Sequence, residues 1–394
     1  MTDRPASSLK PKRIVHYYPT AREDSGVTIA LWAWARAVAA AGLEVLVLHR
    51  GSEAPADRRL GEGTGVGADG VHEQVVPHRG RGRLTARPVG LGRWLRAGDV
   101  LVLHEGWVLS NQVAAAEARK AGVPYVVMPH GVYEPAWRRY LKQPVALRER
   151  AERYLLDRAL AIHVFFASEI PDIAGIAPRA TSFITAPTGF SVPPERWEGG
   201  GGYLSWVGRY DPVHKGLDVL VDAVALIPPE RRPRIRLHGY DFRSGRAELE
   251  HRVAELGLGD RVQIGGVIAG TEKSEFLRRA DGYLHPSRWE SYGIALFENL
   301  ALGVPCLASS TIHLAADLRG ADAALLARPD PRAIADGLIA LMAAPPELGA
   351  RGRTLVERRF AWSVVVPEYL SALEALLAGS RRLTVRGWSG SPPR

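Results

Sequence analysis

The chain alternates short, nearly continuous apolar runs with stretches of helical period, and turn residues stand between them. Residues 13–18 and 44–49 are apolar runs of strand length. Between them residues 27–41 form an alanine-rich amphipathic stretch that stops at Gly42. That order of strand, Gly-containing loop, helix and strand is one βαβ unit of a parallel sheet. Residues 99–104, 124–128, 161–166 and 181–185 continue the strands, with helices predicted over 111–121 and 148–158. Several of these strands are apolar throughout, as expected where helices cover both faces of a sheet. Residues 51–98, rich in Gly, Arg and Pro, read as loops with a short strand at Val75 and Val76.

A second alternating series starts at 203–207. Helices are predicted over 217–227, 247–256 and 272–280, and strands over 235–239, 261–264 and 282–285. A helix over 294–302 follows, stopped by Gly303, then strands over 304–308 and 323–326 and a helix over 332–342. Ser191-Val192-Pro193-Pro194 and the four glycines 199–202 read as the linker between two domains. The expected class is α/β, with two doubly wound, Rossmann-like parallel sheets whose ligands sit beyond the strands' carboxyl ends. The expected division is 1–192, linker 193–202, and 203–360, with 362–378 a final helix apolar at Val365, Tyr369, Leu370, Leu373 and Leu376.

The chemistry gathers around 285–305. Pro286 and Gly293 punctuate a loop, and the helix from Ile294 would point unpaired backbone N–H groups and partial positive charge back at it, which suits a phosphate. Glu290 stands in the loop and Glu298 within the helix. Gly208-Arg209-Tyr210-Asp211-Pro212-Val213-His214-Lys215-Gly216 follows the strand 203–207 and offers two cations that could neutralise a leaving phosphate without a metal. Met128-Pro129-His130-Gly131 ends a first-domain strand, a fixed turn from which His130 could orient a hydroxyl or take a proton. His104-Glu105-Gly106-Trp107 ends the strand before it. Each feature also has a plain reading: Arg209 and Lys215 as a solvated pair, Glu290 as a helix-start carboxylate, Glu298 as an exposed helix residue, His130 as a turn residue bonded to local backbone.

Pro286-Ser287-Arg288-Trp289-Glu290-Ser291-Tyr292-Gly293-Ile294, continuing to Glu298-Asn299-Leu300-Ala301-Leu302-Gly303-Val304-Pro305, resembles the Glu-x7-Glu motif of retaining GT-B-fold glycosyltransferases of family 4, group 1. The resemblance extends along nearly the whole chain. It implies two Rossmann-like domains facing a cleft, with the last helix (about 361–378) packed back on the first. Arg209 and Lys215 would grip the donor's diphosphate, Glu290 would lie by the donor sugar, and Glu298 would take the ribose hydroxyls. Gly208, Ser291, Tyr292, Gly293 and Ile294 would line the donor site. His130 would face sugar and acceptor, and His104, Glu105 and Trp107 would line the acceptor side. Gly26 stands where relatives carry a glycine-rich loop, here with one glycine in Asp24-Ser25-Gly26-Val27. Pro187-Thr188-Gly189 replaces a common Pro-Asn-Gly. The implied reaction is transfer of a sugar from a nucleotide-diphosphate donor to a hydroxyl of a sugar, a lipid-linked saccharide or a small molecule. Retention would come from same-face attack, with no cofactor and no metal. The segment 128–137 resembles most the bacterial transferases for cell-surface polysaccharide or lipid-linked saccharide, with secondary-metabolite glycosylation as the alternative.

Composition narrows this little. The net charge of +9 over 394 residues could favour nucleic acid, an anionic membrane face or phosphorylated substrates, but only six of the 51 basic residues are lysine, and no compact basic run interleaves with aromatics. Nucleic acid is not expected. The polar, basic start and the interrupted apolar window 28–48 point to the cytoplasm, with peripheral contact at the inner face of an anionic plasma membrane left open. A lone Cys306 allows no internal disulfide, and there is neither an Asp-x-Asp nor a paired-histidine metal pattern. Two rivals of other classes stand beside the transferase: a GT-B-fold nucleotide-sugar epimerase or hydrolase, and a non-catalytic binding protein.

Overall fold

In the computed structural model the apolar runs are parallel strands. Residues 10–21, 25–51, 70–80, 85–136, 139 and 146–379 are described. The described residues divide into two units, the first running to Gly189 and resuming at Trp362, the second Phe190–Ala361. The first unit holds β1 (Arg13–Tyr17), β2 (Glu44–His49), β3 (Val71–Val75), β4 (Asp99–His104), β5 (Tyr125–Met128), β6 (Ala161–Val164) and β7 (Phe183–Thr185). They form a seven-stranded sheet in the order β3-β2-β1-β4-β5-β6-β7, every pair parallel. β1, β4 and β5 are buried along their whole length, and the polar strand β3 (Val-His-Glu-Gln-Val) takes the edge. Residues 78–79 and 87–88 add a two-stranded antiparallel pair in the span that read as loop.

Helices α1 (Gly26–Ala40), α2 (Leu109–Lys120), α3 (Ala146–Leu156) and α4 (Ile170–Ile176) belong to this unit. α1 starts because Ser25 Oγ accepts from the Thr28 N–H, and it buries Leu31, Trp34, Ala35 and Val38 on one stripe.

The second unit repeats the plan. β8 (Leu204–Tyr210), β9 (Ile235–Asp241), β10 (Val262–Gly265), β11 (Gly282–His285), β12 (Cys306–Ser309) and β13 (Leu325–Ala327) form a six-stranded parallel sheet, order β10-β9-β8-β11-β12-β13. Its helices are α5 (Pro212–Lys215), α6 (Leu217–Leu226), α7 (Gly245–Glu255), α8 (Gly270–Arg279), α9 (Ile294–Leu302), α10 (Ala315–Gly320), α11 (Pro331–Met342) and α12 (Pro346–Leu355). Its core is aliphatic, with Val221, Leu237, Leu307 and Leu338 closed from solvent.

Two expectations are corrected. The glycine run 199–202 lies inside the second unit, not between units. Gly199 and Gly201 N–H groups donate to Arg278 O and Arg279 O at 3.0 and 2.8 Å, and Gly200 N–H donates to Asp281 Oδ1 at 2.7 Å. A Cβ on Gly201 would fall 2.5 Å from Arg279 O, so that glycine serves close backbone approach rather than freedom. The chain instead crosses at Gly189/Phe190 and again at Ala361/Trp362. The second correction is Gly208 and Arg209, which lie on β8 itself rather than in the loop after it.

The last helix, α13 (Trp362–Leu377), belongs to the first unit. Trp34 of α1 meets Trp362 edge-on at 5.1 Å and Tyr369 at 4.9 Å, and Tyr369 stacks on His163 of β6 at 4.9 Å. Such rings bury large areas and add directional ring contacts. Trp34→Ala is therefore expected to cost the first unit about 3–5 kcal/mol. Denaturant unfolding followed by amide exchange should show the loss in strands β1 and β6 while β8 and β11 keep their protection.

Candidate active site

In both sheets the strand order reverses direction between two neighbours, β1/β4 in the first unit and β8/β11 in the second. Doubly wound sheets bind ligands beyond the carboxyl ends of the strands at that switch point. The residues singled out above lie there, unit by unit. Backbone strain gathers at the same ends: Glu105, Trp107 and His130 past β4 and β5, and Arg243 and Ser244 past β9, all have positive φ between 55° and 68°.

In the second unit, Arg209 leaves the end of β8 and Lys215 ends α5. Lys215 Nζ donates to Glu290 Oε2 at 2.5 Å, with the two side chains 17% and 13% exposed. His285 Nε2 lies 3.6 Å from the same oxygen and Ser287 Oγ donates to it at 3.5 Å. Burial pushes the Glu290 carboxyl up, but the Lys215 ammonium beside it outweighs that and holds it at about 2. Glu290 is thus ionised at neutral pH. Burial lowers His285 to about 4, leaving it neutral. Gly216 brings the two loops this close: its φ is +66° and a Cβ there would sit 2.1 Å from Pro286 O.

Arg209 is braced from three sides. It donates to Asp211 Oδ2 at 3.2 Å and to His214 Nδ1 at 3.0 Å, and its guanidinium lies 4.2 Å from the Phe242 ring centroid. Arginine cannot accept, so His214 Nδ1 is the bare nitrogen and Nε2–H donates to Trp289 O at 3.1 Å. His214 also stacks on Trp289 at 4.7 Å. It thereby ties the Arg209 strand to the loop that carries Glu290, a connection that spacing in the sequence did not reveal.

Glu298, on α9, accepts from Lys273 Nζ at 2.7 Å through Oε1, while its Oε2 is buried with no hydrogen-bond partner. A buried carboxylate oxygen left unpaired is costly and is a ready acceptor for a ligand hydroxyl. Lys273 escaped the sequence reading, yet it is one of only six lysines, and two of those six neutralise the two motif carboxylates. Helix α9 starts at Gly293, with φ +83° and no side-chain cap, so its first N–H groups are not taken up by a capping side chain. Ser291 leads into that turn half-buried, and Ile294 opens the helix. Tyr292 stacks on Phe297 at 4.4 Å and packs the helix start. Gly208 packs against Trp206, whose ring a Cβ would meet at 2.8 Å.

In the first unit three histidines form a line. His130 Nε2 lies 2.9 Å from His104 Nδ1, and His104 Nε2 lies 2.9 Å from His16 Nδ1. Burial lowers His130 and His16 to about 3 and also holds His104 well below the usual imidazole range, so all three are neutral at pH 7. His16, in the strand Arg-Ile-Val-His-Tyr, was not singled out in the sequence; a histidine inside a continuous apolar strand was the cue.

His104, Glu105 and Trp107, expected on the acceptor side, lie at and just past the carboxyl end of β4. All three are buried; Glu105 Oε2 accepts from Tyr18 OH at 3.0 Å, and the Trp107 backbone N–H donates to Glu152 Oε1 at 3.0 Å. They hold the strained turn in place. Gly26 opens α1, where a Cβ would meet nothing within 4 Å, so the fold itself does not require glycine there. Asp24 and Trp137 lie outside the described residues. Among the described residues, no group of three or more His, Cys, Asp and Glu is placed to hold a metal ion, and no single helix is long and apolar enough to cross a membrane.

Two family models match, one to each unit's sheet. Glycosyl transferase 4-like domain matches residues 25–181 and Glycosyl transferases group 1 matches residues 192–353. The chain belongs to the group 1 glycosyltransferases of family 4. It is 28% identical to a phosphatidyl-myo-inositol mannosyltransferase of Mycobacterium leprae, over 74% of this chain and 78% of that one. It is likewise 28% identical to a D-inositol 3-phosphate glycosyltransferase of Thermomonospora curvata, over 89% and 91%. Among solved structures, sucrose-phosphate synthase of Thermosynechococcus elongatus superposes with a TM-score of 0.72 at 21% identity, over 93% of this chain and all of that one. Anabaena HepE in complex with UDP gives 0.71 at 15% identity, over 92% of this chain and all of that one. The fold is GT-B, and the protein is a glycosyltransferase.

The Lys215–Glu290 pair in this glycosyltransferase makes a pH-dependent stability prediction. Lys215→Met leaves a buried, uncompensated carboxylate and should cost about 3 kcal/mol at pH 7. Without the lysine, burial raises the Glu290 pKa above its unfolded value, so the variant regains stability as pH falls from 7 toward 4.5. The wild type, with a depressed pKa, loses the pair's contribution only below about 4.5 and down to about 2. The difference in unfolding free energy between the two should therefore shrink on acidification; a constant difference would contradict the assignment.

Proposed function

We propose that this glycosyltransferase moves a sugar from a nucleoside-diphosphate donor to an acceptor hydroxyl with retention of anomeric configuration, without a metal. The observation that carries the donor site is the spare buried Oε2 of Glu298 on α9, a helix with an uncapped start, with Arg209 at the end of β8 and Lys215 at the end of α5. Arg209 and Lys215 neutralise the diphosphate, each contact being charge-assisted. The N–H groups at Gly293 and Ile294, with Ser291 at the turn, receive a phosphate oxygen. Glu298 takes the ribose hydroxyls. Glu290 stays ionised near the anomeric centre, where positive charge develops as the leaving group departs. Lys215, held on Glu290 by one of its three N–H donors, has the others for the phosphates.

In this scheme attack comes on the same face as departure, and the leaving phosphate takes the acceptor's proton. His130 of the first unit orients a hydroxyl. For the acceptor, a lipid-linked or cell-surface saccharide remains the leading class. The inositol compounds in the names of the two curated relatives favour a second reading, a phosphorylated cyclic polyol or its lipid. Secondary-metabolite glycosylation uses the same chemistry and is distinguished only by the acceptor.

The test is a transfer assay over these acceptor classes with EDTA present, the product's anomeric configuration read by proton NMR. Retained configuration is expected, and Lys215→Ala and Glu290→Gln should each lose about a hundred- to a thousandfold in kcat, the scale of removing one electrostatic contact to the transition state. Wild-type turnover in either variant removes that residue from the mechanism. Donor breakdown that ignores every acceptor would favour a hydrolase or epimerase instead.

A further inference from the structure

The three histidines at the β1/β4 switch point form a chain whose hydrogens can run in two directions. A neutral imidazole carries one N–H and one bare nitrogen, so each hydrogen bond fixes the next ring. If the protons point inward, His130 Nε2–H donates to His104, His104 Nε2–H donates to His16 Nδ1, and His16 is left with an Nε2–H. That nitrogen is buried and has no partner. If they point outward, His16 Nδ1–H donates to His104 Nε2, His104 Nδ1–H donates to His130 Nε2, and His16 Nε2 keeps only a bare lone pair. Orphaned buried N–H groups are rarer than under-satisfied acceptors.

The same region shows which leftover it tolerates. His163 Nε2 lies 2.7 Å from Ala186 O, a carbonyl that can only accept, so His163 carries its proton on Nε2 and its buried Nδ1 is a bare lone pair without a partner. The edge of Phe165 meets His130 at 5.3 Å, and Tyr18 stands 6.5 Å from His104. Among the described residues, the hydrogen bonds of the line's rings are those to one another.

We propose that His16 and His104 are positioning residues that fix His130 as its Nδ1–H tautomer, so that His130 presents a hydrogen-bond donor, and not a base, to the substrate. The consequence is chemical. A residue that offers N–H holds a hydroxyl oxygen or a developing negative charge and leaves the acceptor's proton to another group, in keeping with removal of that proton by the leaving phosphate. The use of that donor in transfer rests on the function proposed above; the tautomer itself does not.

The test reads the tautomers directly in the full chain labelled with 15N-histidine, using long-range nitrogen–proton correlations at pH 7. Resonances are assigned by their loss in His16→Asn and His130→Asn. Protonated Nδ1 with bare Nε2 is expected at His16, His104 and His130, and the reverse at His163. Protonated Nε2 at His130, or an imidazolium in the line, overturns the proposal. For the use of the donor, His104→Gln can still accept from His16 and donate to His130, and should keep kcat within about threefold. His104→Leu cannot, and should lose at least roughly tenfold in kcat with donor KM unchanged. If His104→Leu folds and turns over like wild type while the tautomers are as expected, His130 takes no part in transfer, and the function assigned to it fails separately from the tautomer.

Discussion

An ionised carboxylate cannot stay in a half-dry turn unless a cation sits on it, and that constraint organises the second unit. Glu290 is held ionised by Lys215 at 2.5 Å, and Glu298 accepts from Lys273 at 2.7 Å. Neither pair is valuable as a surface ion pair would be counted, since exposed pairs contribute little. Their worth lies in keeping negative charge where the desolvated surroundings would otherwise neutralise it. The glycine at 216 exists for this arrangement, because any side chain there would push the lysine's loop off Pro286.

The two units solve one topological problem with opposite electrostatics. Both sheets leave a crevice beyond the strand ends at the point of reversal. The second fills it with paired charges and a helix start, the equipment for holding a diphosphate. The first fills it with neutral imidazoles and a buried, strained turn, the equipment for orienting hydroxyls.

Most of the fold was legible because burial on both faces leaves an unbroken apolar run, as in Asp-Val-Leu-Val-Leu-His of β4, which nothing but a covered parallel strand explains economically. The glycine run 199–202 misled because sequence shows the residue and not its use; a glycine that frees the chain looks like one that lets a carbonyl approach. Helix α12 went unread for a related reason. It carries Gly349 and Gly352, residues that disfavour a helix interior, yet a Cβ on Gly349 would fall 1.9 Å from Gly303 O, so the glycine seats that helix against the end of α9. In the candidate site, Arg209, Lys215, Glu290 and Glu298 were legible from a motif with known spacing. The roles of His214 and Lys273 as their supports, and of His16 beside His104 in the first unit, are revealed only by tertiary distance. His104, Glu105 and Trp107 were legible as the end of an apolar strand, but their burial was not, because an apolar strand's last residues can turn inward as readily as outward.

The measurement closest to the central claim is a calorimetric titration of UDP, GDP, ADP and dTDP into the full chain with EDTA, repeated with Arg209→Ala and Glu298→Ala. The account predicts that one or two of these nucleotides bind the wild type, naming the donor's base, and that both substitutions weaken that binding severely. Absence of binding by every nucleotide, or equal binding by both variants, would contradict the donor site described here.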